Sequence, residues 1–245
     1  MKRIAMFFAA AMLLFGISGQ ALASFAAGDL IQVVYSSTDS YEVATDLGAF
    51  SWTTAYTGNT INFNSNPFPT AGNGAFANSS WSNLNVAYFE SAGSSAWVSG
   101  PASGQTSGNN QSNFSSAAQA VLANYASAGG GSAQAQLLQS NALSYMSKMN
   151  MSNVAGSFAG LIPGHNGETN LAALSSQNYV DTYLYYYANA NSTQGQTGVQ
   201  VADIRTFNDG TSEIVGTNAT PVPPSVLLMG SGFIGLAGFR RRQTA

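Results

Sequence analysis

The sequence predicts a mainly β protein, in outline a β-sandwich, with a helical hairpin inserted into it or packed on it. Short segments rich in Val, Ile, Thr and aromatic residues alternate apolar and polar positions, and clusters of Ser, Asn, Asp and Gly separate them. One central stretch has helical periodicity instead. An α+β fold, or two small lobes divided at a low-complexity stretch, are the alternatives. With 245 residues, 45% of them hydrophobic, the chain can bury the core of one ordinary domain.

The first half of the chain contains four predicted strands and, between the second and the third, a segment rich in Thr and aromatic residues. Residues 29–35 and 41–45 flank a turn cluster of Ser, Thr and Asp, so they are expected to form a hairpin. Residues 52–63 are rich in Thr and aromatic side chains around a Gly-Asn turn. Residues 84–90 alternate in polarity, and residues 95–98 are their predicted short partner.

The middle of the chain is predicted to hold a helical pair over residues 116–149, after a low-complexity loop near residues 99–113. Ser116 and Gln119 have the spacing of a capping box, and a run of three glycines stops the first helix. The second helix is predicted over residues 133–148, because its apolar side chains share one helical face.

Three strands are predicted to close the β-rich body, which extends over residues 24–219. Residues 179–188 form the strongest candidate because Tyr and Val dominate them. Residues 199–207 alternate in polarity, an Asn-Asp-Gly turn follows, and residues 212–215 return alongside.

Charged residues are scarce in this chain. Asp, Glu, Lys and Arg make up 7% of it, whereas soluble globular proteins carry about 25%. Uncharged polar residues and 26 Gly must therefore supply the wetted surface. The net charge of −3 excludes an electrostatic nucleic-acid binder. One His and no Cys exclude Cys/His metal clusters, thiol nucleophiles and disulfides, and no cofactor or metal ion is predicted.

Residues 1–23 have the three parts of a secretory signal peptide. A basic start precedes an apolar run over residues 4–17, which is shorter than the roughly 20 residues that span a bilayer. Ala21 and Ala23 place small side chains at the −3 and −1 positions of a signal peptidase site. Cleavage is therefore expected between Ala23 and Ser24, and a retained N-terminal anchor is the alternative.

Residues 220–245 form a second tripartite segment. A Pro-rich stretch over residues 220–225 is followed by an apolar or small-residue run over residues 226–239, and three arginines come next. By the positive-inside rule these arginines hold the C-terminus in the cytoplasm, so the body lies on the outer side of the inner membrane. Transient insertion and docking against a membrane-embedded processing enzyme are expected. A simple tail anchor is the alternative.

The motif residues of this tail occur in a fixed order: Val222, Pro223, Pro224, Gly230, Ser231, Gly232, Arg240, Arg241 and Arg242. The tail resembles the PEP-CTERM sorting signal of Gram-negative bacteria, with a variant Val-Pro-Pro-Ser motif where Val-Pro-Glu-Pro is usual. The resemblance covers only the end of the chain. It implies cleavage by an exosortase-type membrane protease and a product located at the cell surface or outside the cell. Such proteins commonly accompany exopolysaccharide and biofilm production, so exopolysaccharide is the implied partner.

No catalytic constellation stands out in the sequence. His165 lies in a turn-rich loop where Glu168 could orient it as a base, but no nucleophile motif accompanies them and a solvated loop is favoured. Four acidic residues on the last strands could converge as the carboxylate pair of a glycoside hydrolase, although surface solvation is the simpler interpretation. These residues are Asp181, Asp203, Asp209 and Glu213.

Three tyrosines fall on one face of the predicted strand over residues 179–188, namely Tyr183, Tyr185 and Tyr187. Core or cross-strand packing is favoured, because Tyr forms strands well and packs half-buried. The alternative is an exposed platform that stacks on sugar rings.

The sequence therefore predicts a non-enzymatic, exported protein of the cell surface or extracellular matrix, processed by signal peptidase and an exosortase-like protease. A carbohydrate-binding module that uses the three tyrosines is the alternative, and a secreted hydrolase is a third interpretation.

Overall fold

The structure, a computed structural model, describes residues 25–63, 76, 79–100, 111–149, 161, 167–188 and 196–217. These residues form ten strands and two α-helices, which confirms the prediction of a mainly β fold with a packed helical element. The strands are β1 (Asp29–Ser36), β2 (Tyr41–Ala49), β3 (Ile61–Phe63), β4 (Leu84–Ala92), β5 (Ser95–Gly100), β6 (Gln134–Leu138), β7 (Thr169–Asn170), β8 (Tyr179–Tyr187), β9 (Val199–Phe207) and β10 (Ser212–Val215). The helices are α1 (Gln111–Gly129) and α2 (Tyr145–Lys148).

The described strands belong to one antiparallel sheet. Its order is β3-β10-β9-β8-β5-β4-β1-β2-β6, and β7 pairs with β4 off this path. The pairing of β5 with β8, from Ala96 opposite Tyr187 to Gly100 opposite Tyr183, joins the first half of the chain to the second. The alternative of two separate lobes is therefore wrong, because strands from both sides of the proposed division are neighbours in one sheet.

The sheet curls until its inner face packs against itself. Four strands separate β1 from β10 in the sheet order, yet Gln32 Nε2 on β1 donates a 2.9 Å hydrogen bond to Ser212 Oγ on β10. Similarly, Tyr88 Oη on β4 lies 2.6 Å from Thr206 Oγ1 on β9. One continuous sheet thus supplies both layers of a sandwich-like fold. The inner core around these contacts includes Leu30, Val34, Val86, Trp97, Leu184, Val201 and Ile204.

Helix α1 covers the outer face of the sheet. Along β1, Ile31 and Val33 belong to the core beneath α1, whereas Leu30 and Val34 belong to the inner core, as the two-residue period of a strand requires. Because both faces are covered, β1 reads as a nearly continuous apolar run. The buried side chains of α1 recur at three- and four-residue spacing and are Phe114, Ala117, Ala118, Val121, Leu122 and Tyr125.

The predicted second helix over residues 133–148 is wrong for most of its length. Gln134–Leu138 form strand β6, which pairs with β2, and only Tyr145–Lys148 are helical. Ala, Gln and Leu favour a helix locally, but the open edge of β2 offers hydrogen-bond partners to the backbone of this segment. Gly130 and Gly131, with φ of 57° and 89°, adopt the left-handed conformation that turns the chain from α1 towards that edge.

The structure shortens the predicted low-complexity loop at both ends. Ser99 is part of β5, and helix α1 begins at Gln111 rather than near Ser116. Residues 101–110 lie outside the described residues. Ser99 is fully buried, and its hydroxyl accepts a 2.9 Å hydrogen bond from the backbone N–H of Tyr88.

The remaining predicted strands are confirmed, with bounds that differ by a few residues. They correspond to β1, β2, β4, β5, β8, β9 and β10. Within residues 52–63, only Ile61–Phe63 form a strand, at one edge of the sheet.

Candidate functional site

The candidate ligand site is a cleft of about 390 Å³ beside the start of β4. Two short 3₁₀ turns, Trp81–Asn83 and Ala172–Ser175, lie against each other and form its walls. We call it the serine cleft. Its lining residues are Phe76, Ser79, Ser80, Trp81, Ser82, Leu84, Ala172 and Ser175.

Hydrogen bonds hold both walls of the serine cleft on the sheet. The side-chain amide of Asn170 donates to the carbonyl oxygen of Ser82 at 3.0 Å and to Asn85 Oδ1 at 3.1 Å. The backbone N–H of Leu171 donates to the carbonyl oxygen of Leu84 at 2.9 Å. The two turns are therefore tied to β4 by hydrogen bonds.

The chemistry of the serine cleft is neutral and amphipathic. Four serines supply hydroxyl groups that donate and accept hydrogen bonds, while the half-buried Trp81 adds aromatic surface. None of the described lining residues is ionisable. Asp39 lies behind one wall, where its carboxylate accepts a hydrogen bond from the Ser79 hydroxyl. Hydroxyl groups beside aromatic rings suit a neutral, polyhydroxylated ligand.

The three tyrosines of β8 are mostly buried, as the favoured packing interpretation expects, rather than forming the exposed platform of the alternative. Tyr185 is 3% exposed and Tyr187 is fully buried in the core beneath α1, while Tyr183 packs half-buried at its margin. This arrangement matches the packing interpretation. Two of the three rings are not accessible to a sugar, because their face of β8 contributes to the outer core.

The acidic residues predicted on the last strands have structural partners. Arg205 donates to Asp181 Oδ1 from Nε at 3.0 Å and to Glu213 Oε1 from Nη1 at 3.2 Å, so one guanidinium group forms ion pairs with both carboxylates. Asp203 accepts a hydrogen bond from a neighbouring glutamine, and Asp209 accepts two within the turn between β9 and β10. The structure thus gathers Asp181 and Glu213 around a cation, which differs from the open carboxylate pair of a glycosidase.

The predicted pairing of His165 with Glu168 stays a prediction, because His165 lies outside the described residues. Glu168 is described, and its Oε1 accepts a 2.6 Å hydrogen bond from Tyr145 Oη. Burial raises the pKa of the Glu168 carboxyl to about 7.

Glu42 is a buried carboxylate that sequence reasoning missed. It lies on β2, and its Oε1 accepts from Tyr125 Oη at 2.6 Å and from the backbone N–H of Tyr145 at 2.7 Å. Its Oε2 accepts from the backbone N–H of Met146 at 3.0 Å. Glu42 therefore satisfies the first donors of α2. Burial raises the pKa of Glu42, although all three hydrogen bonds favour its ionised form.

Glu90 is a second buried carboxyl group that the sequence did not mark. It lies on β4 opposite Trp97 of β5 and is 1% exposed. Within the described part of the chain, neither of its carboxyl oxygens has a hydrogen-bond partner. Burial, and then the charge of Asp29, raise the pKa of Glu90 to about 8. Its position as the last residue of the predicted strand over residues 84–90 gave no signal of this isolation.

The predicted processing residues at both ends of the chain lie outside the described residues. Ala21, Ala23 and the tail motif over residues 222–242 therefore stay predictions. In the part of the chain that is described, no helix combines the length and apolarity needed to cross a bilayer. Those same residues contain no group of three His, Cys, Asp or Glu that could hold a metal ion.

The fold is mainly β and contains a cleft with a neutral, amphipathic lining. Comparison with protein-family models, with curated proteins and with solved structures found no match.

Proposed function

We propose that this chain is an exported, non-enzymatic protein of the cell surface or extracellular matrix that contacts neutral exopolysaccharide through the serine cleft. The signal-peptide pattern of residues 1–23 and the sorting-signal pattern of residues 220–245 support the route. Signal peptidase and an exosortase-type protease are its proposed processing partners. The observation that carries the binding role is the neutral lining of the serine cleft, where hydroxyl groups lie beside the half-buried ring of Trp81.

The charge of the exported body favours a neutral polymer over an anionic one. All ten acidic residues lie between the two end segments, where Lys148 and Arg205 are the only Lys or Arg residues. Such a body repels polyanions at a distance. Contact with polysaccharide must therefore come from hydrogen bonds and aromatic surface, which are the groups that the serine cleft supplies.

Trp81, rather than the tyrosines of β8, is the aromatic residue that we propose for contact with polysaccharide. Trp81 is half-buried and lies in the wall of the serine cleft, whereas Tyr185 and Tyr187 are buried in the core. The accessible ring of Trp81 in the cleft wall supports the proposed carbohydrate contact, which the buried rings of Tyr185 and Tyr187 do not.

The route is tested by replacing Arg240, Arg241 and Arg242 together with glutamine. Wild-type protein from the outer fraction should lack both end segments by intact mass, whereas the triple variant should keep its tail and stay in the membrane fraction. Lys148→Gln is the control, because it removes a positive charge outside the tail. Unchanged trimming and surface display in the triple variant would refute the proposed route.

The binding role is tested with Trp81→Ala in a sedimentation assay on an insoluble neutral glucan. Loss of the ring should weaken binding about tenfold, equivalent to about 1.4 kcal/mol. Tyr179→Ala is the matched control, since Tyr179 is an exposed aromatic residue that does not line the serine cleft. Equal binding by wild type and Trp81→Ala would rule out the cleft, and absence of binding to every neutral polymer on a glycan array would rule out the role.

A further inference from the structure

Strand β6 forms an open edge of the sheet in the described chain. It is the last strand in the sheet order and is bonded there to β2 on one side. Natural proteins usually protect such edges with charged residues or proline, because an open edge can pair with another strand. Strand β6, Gln-Ala-Gln-Leu-Leu, has neither, and residues 131–144 around it contain no Asp, Glu, Lys or Arg. This edge is therefore chemically suited to strand addition.

Exposed apolar side chains gather at the same edge. Five large hydrophobic side chains are exposed in the described chain, and three of them belong to β2, to β6 and to the turn after β6, namely Tyr41, Leu138 and Leu143. Tyr41 and Leu138 are directly opposite each other in the pairing of β2 with β6. Both line a cleft of about 490 Å³, to which Gln136 also contributes. Clustered apolar surface of this kind indicates an interaction site.

The pairing with β2 turns alternate backbone groups of β6 towards the open edge. The N–H of Asp46 donates to the carbonyl oxygen of Ala133 at 2.8 Å, and the N–H of Gln139 donates to that of Ser40 at 2.7 Å. Every second pair of an antiparallel ladder exchanges hydrogen bonds, so the odd-numbered residues of β6 face β2. The residues whose N–H and C=O groups point away from β2 are Gln134, Gln136 and Leu138.

Two of these six outward groups are bonded locally. The N–H of Gln134 donates to Ser132 Oγ at 3.2 Å, and the carbonyl oxygen of Leu138 accepts from the N–H of Asn141 at 2.9 Å. Four groups remain open to an added strand. They are the carbonyl of Gln134, the N–H and carbonyl of Gln136, and the N–H of Leu138.

Strand β6 is fixed at both ends. The side-chain amide of Gln139, the residue after β6, donates to the carbonyl oxygens of Ser36 and Tyr41, each at 2.7 Å. At the start of β6, a side-chain carbon on Gly129 would lie 3.2 Å from the carbonyl oxygen of Gln134, so the glycine leaves this acceptor uncrowded. A fixed edge loses little conformational freedom when a strand is added, which favours binding.

The four open groups are complementary to a second copy of themselves. When another β6 lies antiparallel with Gln136 opposite Gln136, each Gln136 N–H meets the Gln136 carbonyl of the other copy. Each Leu138 N–H then meets the Gln134 carbonyl of the other copy, and the two locally bonded groups face each other. An unrelated strand would place further polar groups opposite these bonded ones, so it fits the edge less well.

We propose that two copies of this chain pair along β6, with a two-fold axis at Gln136, so that their sheets join into one. The uncharged segment over residues 131–144 presents no ionised side chain to the other copy, although the body as a whole is acidic. The contact is short, so the dimer should be reversible. The inference does not depend on the proposed export route or on polysaccharide binding.

The direct test is cysteine cross-linking of the full chain, which contains no Cys of its own. Opposite residues of a hydrogen-bonded antiparallel pair have Cα atoms about 5.5 Å apart, within the range of a disulfide. Gln136→Cys should therefore give a disulfide-linked dimer on mild oxidation.

Gln134→Cys is the matched control for this cross-link, because the two-fold axis displaces it from its own counterpart by about 14 Å along the strand. A mixture of Gln134→Cys with Leu138→Cys should cross-link, since these positions are opposite each other in the dimer. Absence of a dimer band from Gln136→Cys, or an equal band from Gln134→Cys alone, would overturn the proposal.

A second test is sedimentation equilibrium of the full chain without cross-links. Gln136→Pro removes an N–H that points away from β2, so it should keep the fold and weaken the dimer at least tenfold. Leu138→Lys should do the same by placing a charge on the edge. Val199→Lys is the control, because it adds the same charge at an exposed apolar residue of β9.

Circular dichroism checks that each sedimentation variant is folded. A wild type that is monomeric at every concentration would refute the dimer. Association that is equally strong in wild type, Gln136→Pro and Leu138→Lys would place the contact elsewhere and would also refute it.

Discussion

Single buried carboxyl groups set the expected pH response of this protein. The pKa of Glu90 is raised from 4.5 to about 8, and that of Glu168 from 4.5 to about 7, chiefly by burial. The folded chain therefore holds these protons while the unfolded chain releases them. By linkage, the stability that these two groups contribute is fully present below about pH 4.5 and is lost as the pH rises towards 8.

Replacement of Glu90 by glutamine should remove the largest part of this decline. Glutamine is nearly isosteric and never ionises, so Glu90→Gln should be more stable than wild type at pH 8 and similar at pH 5. The slope removed is at most about 1.4 kcal/mol per pH unit. Urea unfolding at several pH values measures it. Asp181→Asn, at an exposed ion pair, should leave the slope unchanged. An unchanged slope in Glu90→Gln would show that Glu90 is not the group that titrates.

The sequence could not assign roles to these carboxyl groups. Glu42 acts on Tyr145, which follows it by 103 residues, and Glu90 owes its isolation to burial by strands on both sides. Motif reasoning looks for neighbours in the sequence, whereas both groups are defined by long-range contacts. For the tyrosines of β8, sequence reasoning favoured packing but could not decide it. Alternation shows which face of a strand a side chain lies on, but it does not show what covers that face.

At the scale of elements, the local sequence pattern predicts strands that alternate in polarity. It does not predict a strand that forms only because a neighbouring strand offers it an edge. The strands β1, β4, β8 and β9 follow from their β-branched and aromatic residues. Strand β6 has helix-forming residues and becomes a strand only because β2 presents an edge to it. Edge pairing of this kind depends on where the preceding helix ends and on the direction of the chain after it. The three glycines at residues 129–131 predict the end of the helix, but they do not predict that direction.

The packing of α1 on the sheet should dominate the stability of the outer core. Phe114 is fully buried, and its ring meets that of Phe89 on β4 edge-on at 6.4 Å. Phe114→Ala should destabilise the fold by about 3–5 kcal/mol through lost burial and a residual cavity. Gln119→Ala, on the exposed side of the same helix, should change stability by less than about 0.5 kcal/mol. Chemical denaturation of the two variants tests this, and equal effects would argue against the packing described for α1.

On the scale of the whole molecule, the curled sheet joins distant parts of the chain. Strand β5 pairs with β8, and Gln32 of β1 reaches Ser212 of β10 across the inner core. The sequence predicted the strands but not this order, since neighbour choice depends on contacts between segments far apart in the chain. The same lack of long-range information left open the alternative of two lobes.

One sheet shared by both halves of the chain should unfold in one step. Calorimetry should give equal calorimetric and van't Hoff enthalpies, and tryptophan fluorescence and far-ultraviolet circular dichroism should report coincident transitions. Ser212→Ala should lower the midpoint of both probes together, because the closure of the curl is part of the single cooperative unit. Two separated transitions would mean that the halves are independent.

The ion pairs of Arg205 with Asp181 and Glu213 bear on how the stability of the fold responds to salt. These two contacts are the only ion pairs in the described chain, and both are partly open to water. Attraction between charges therefore adds little to stability. Between the two end segments, ionised carboxylates outnumber Lys148 and Arg205, and their mutual repulsion weakens as ionic strength rises. We therefore expect the denaturation midpoint to change little with ionic strength and to rise slightly as salt is added.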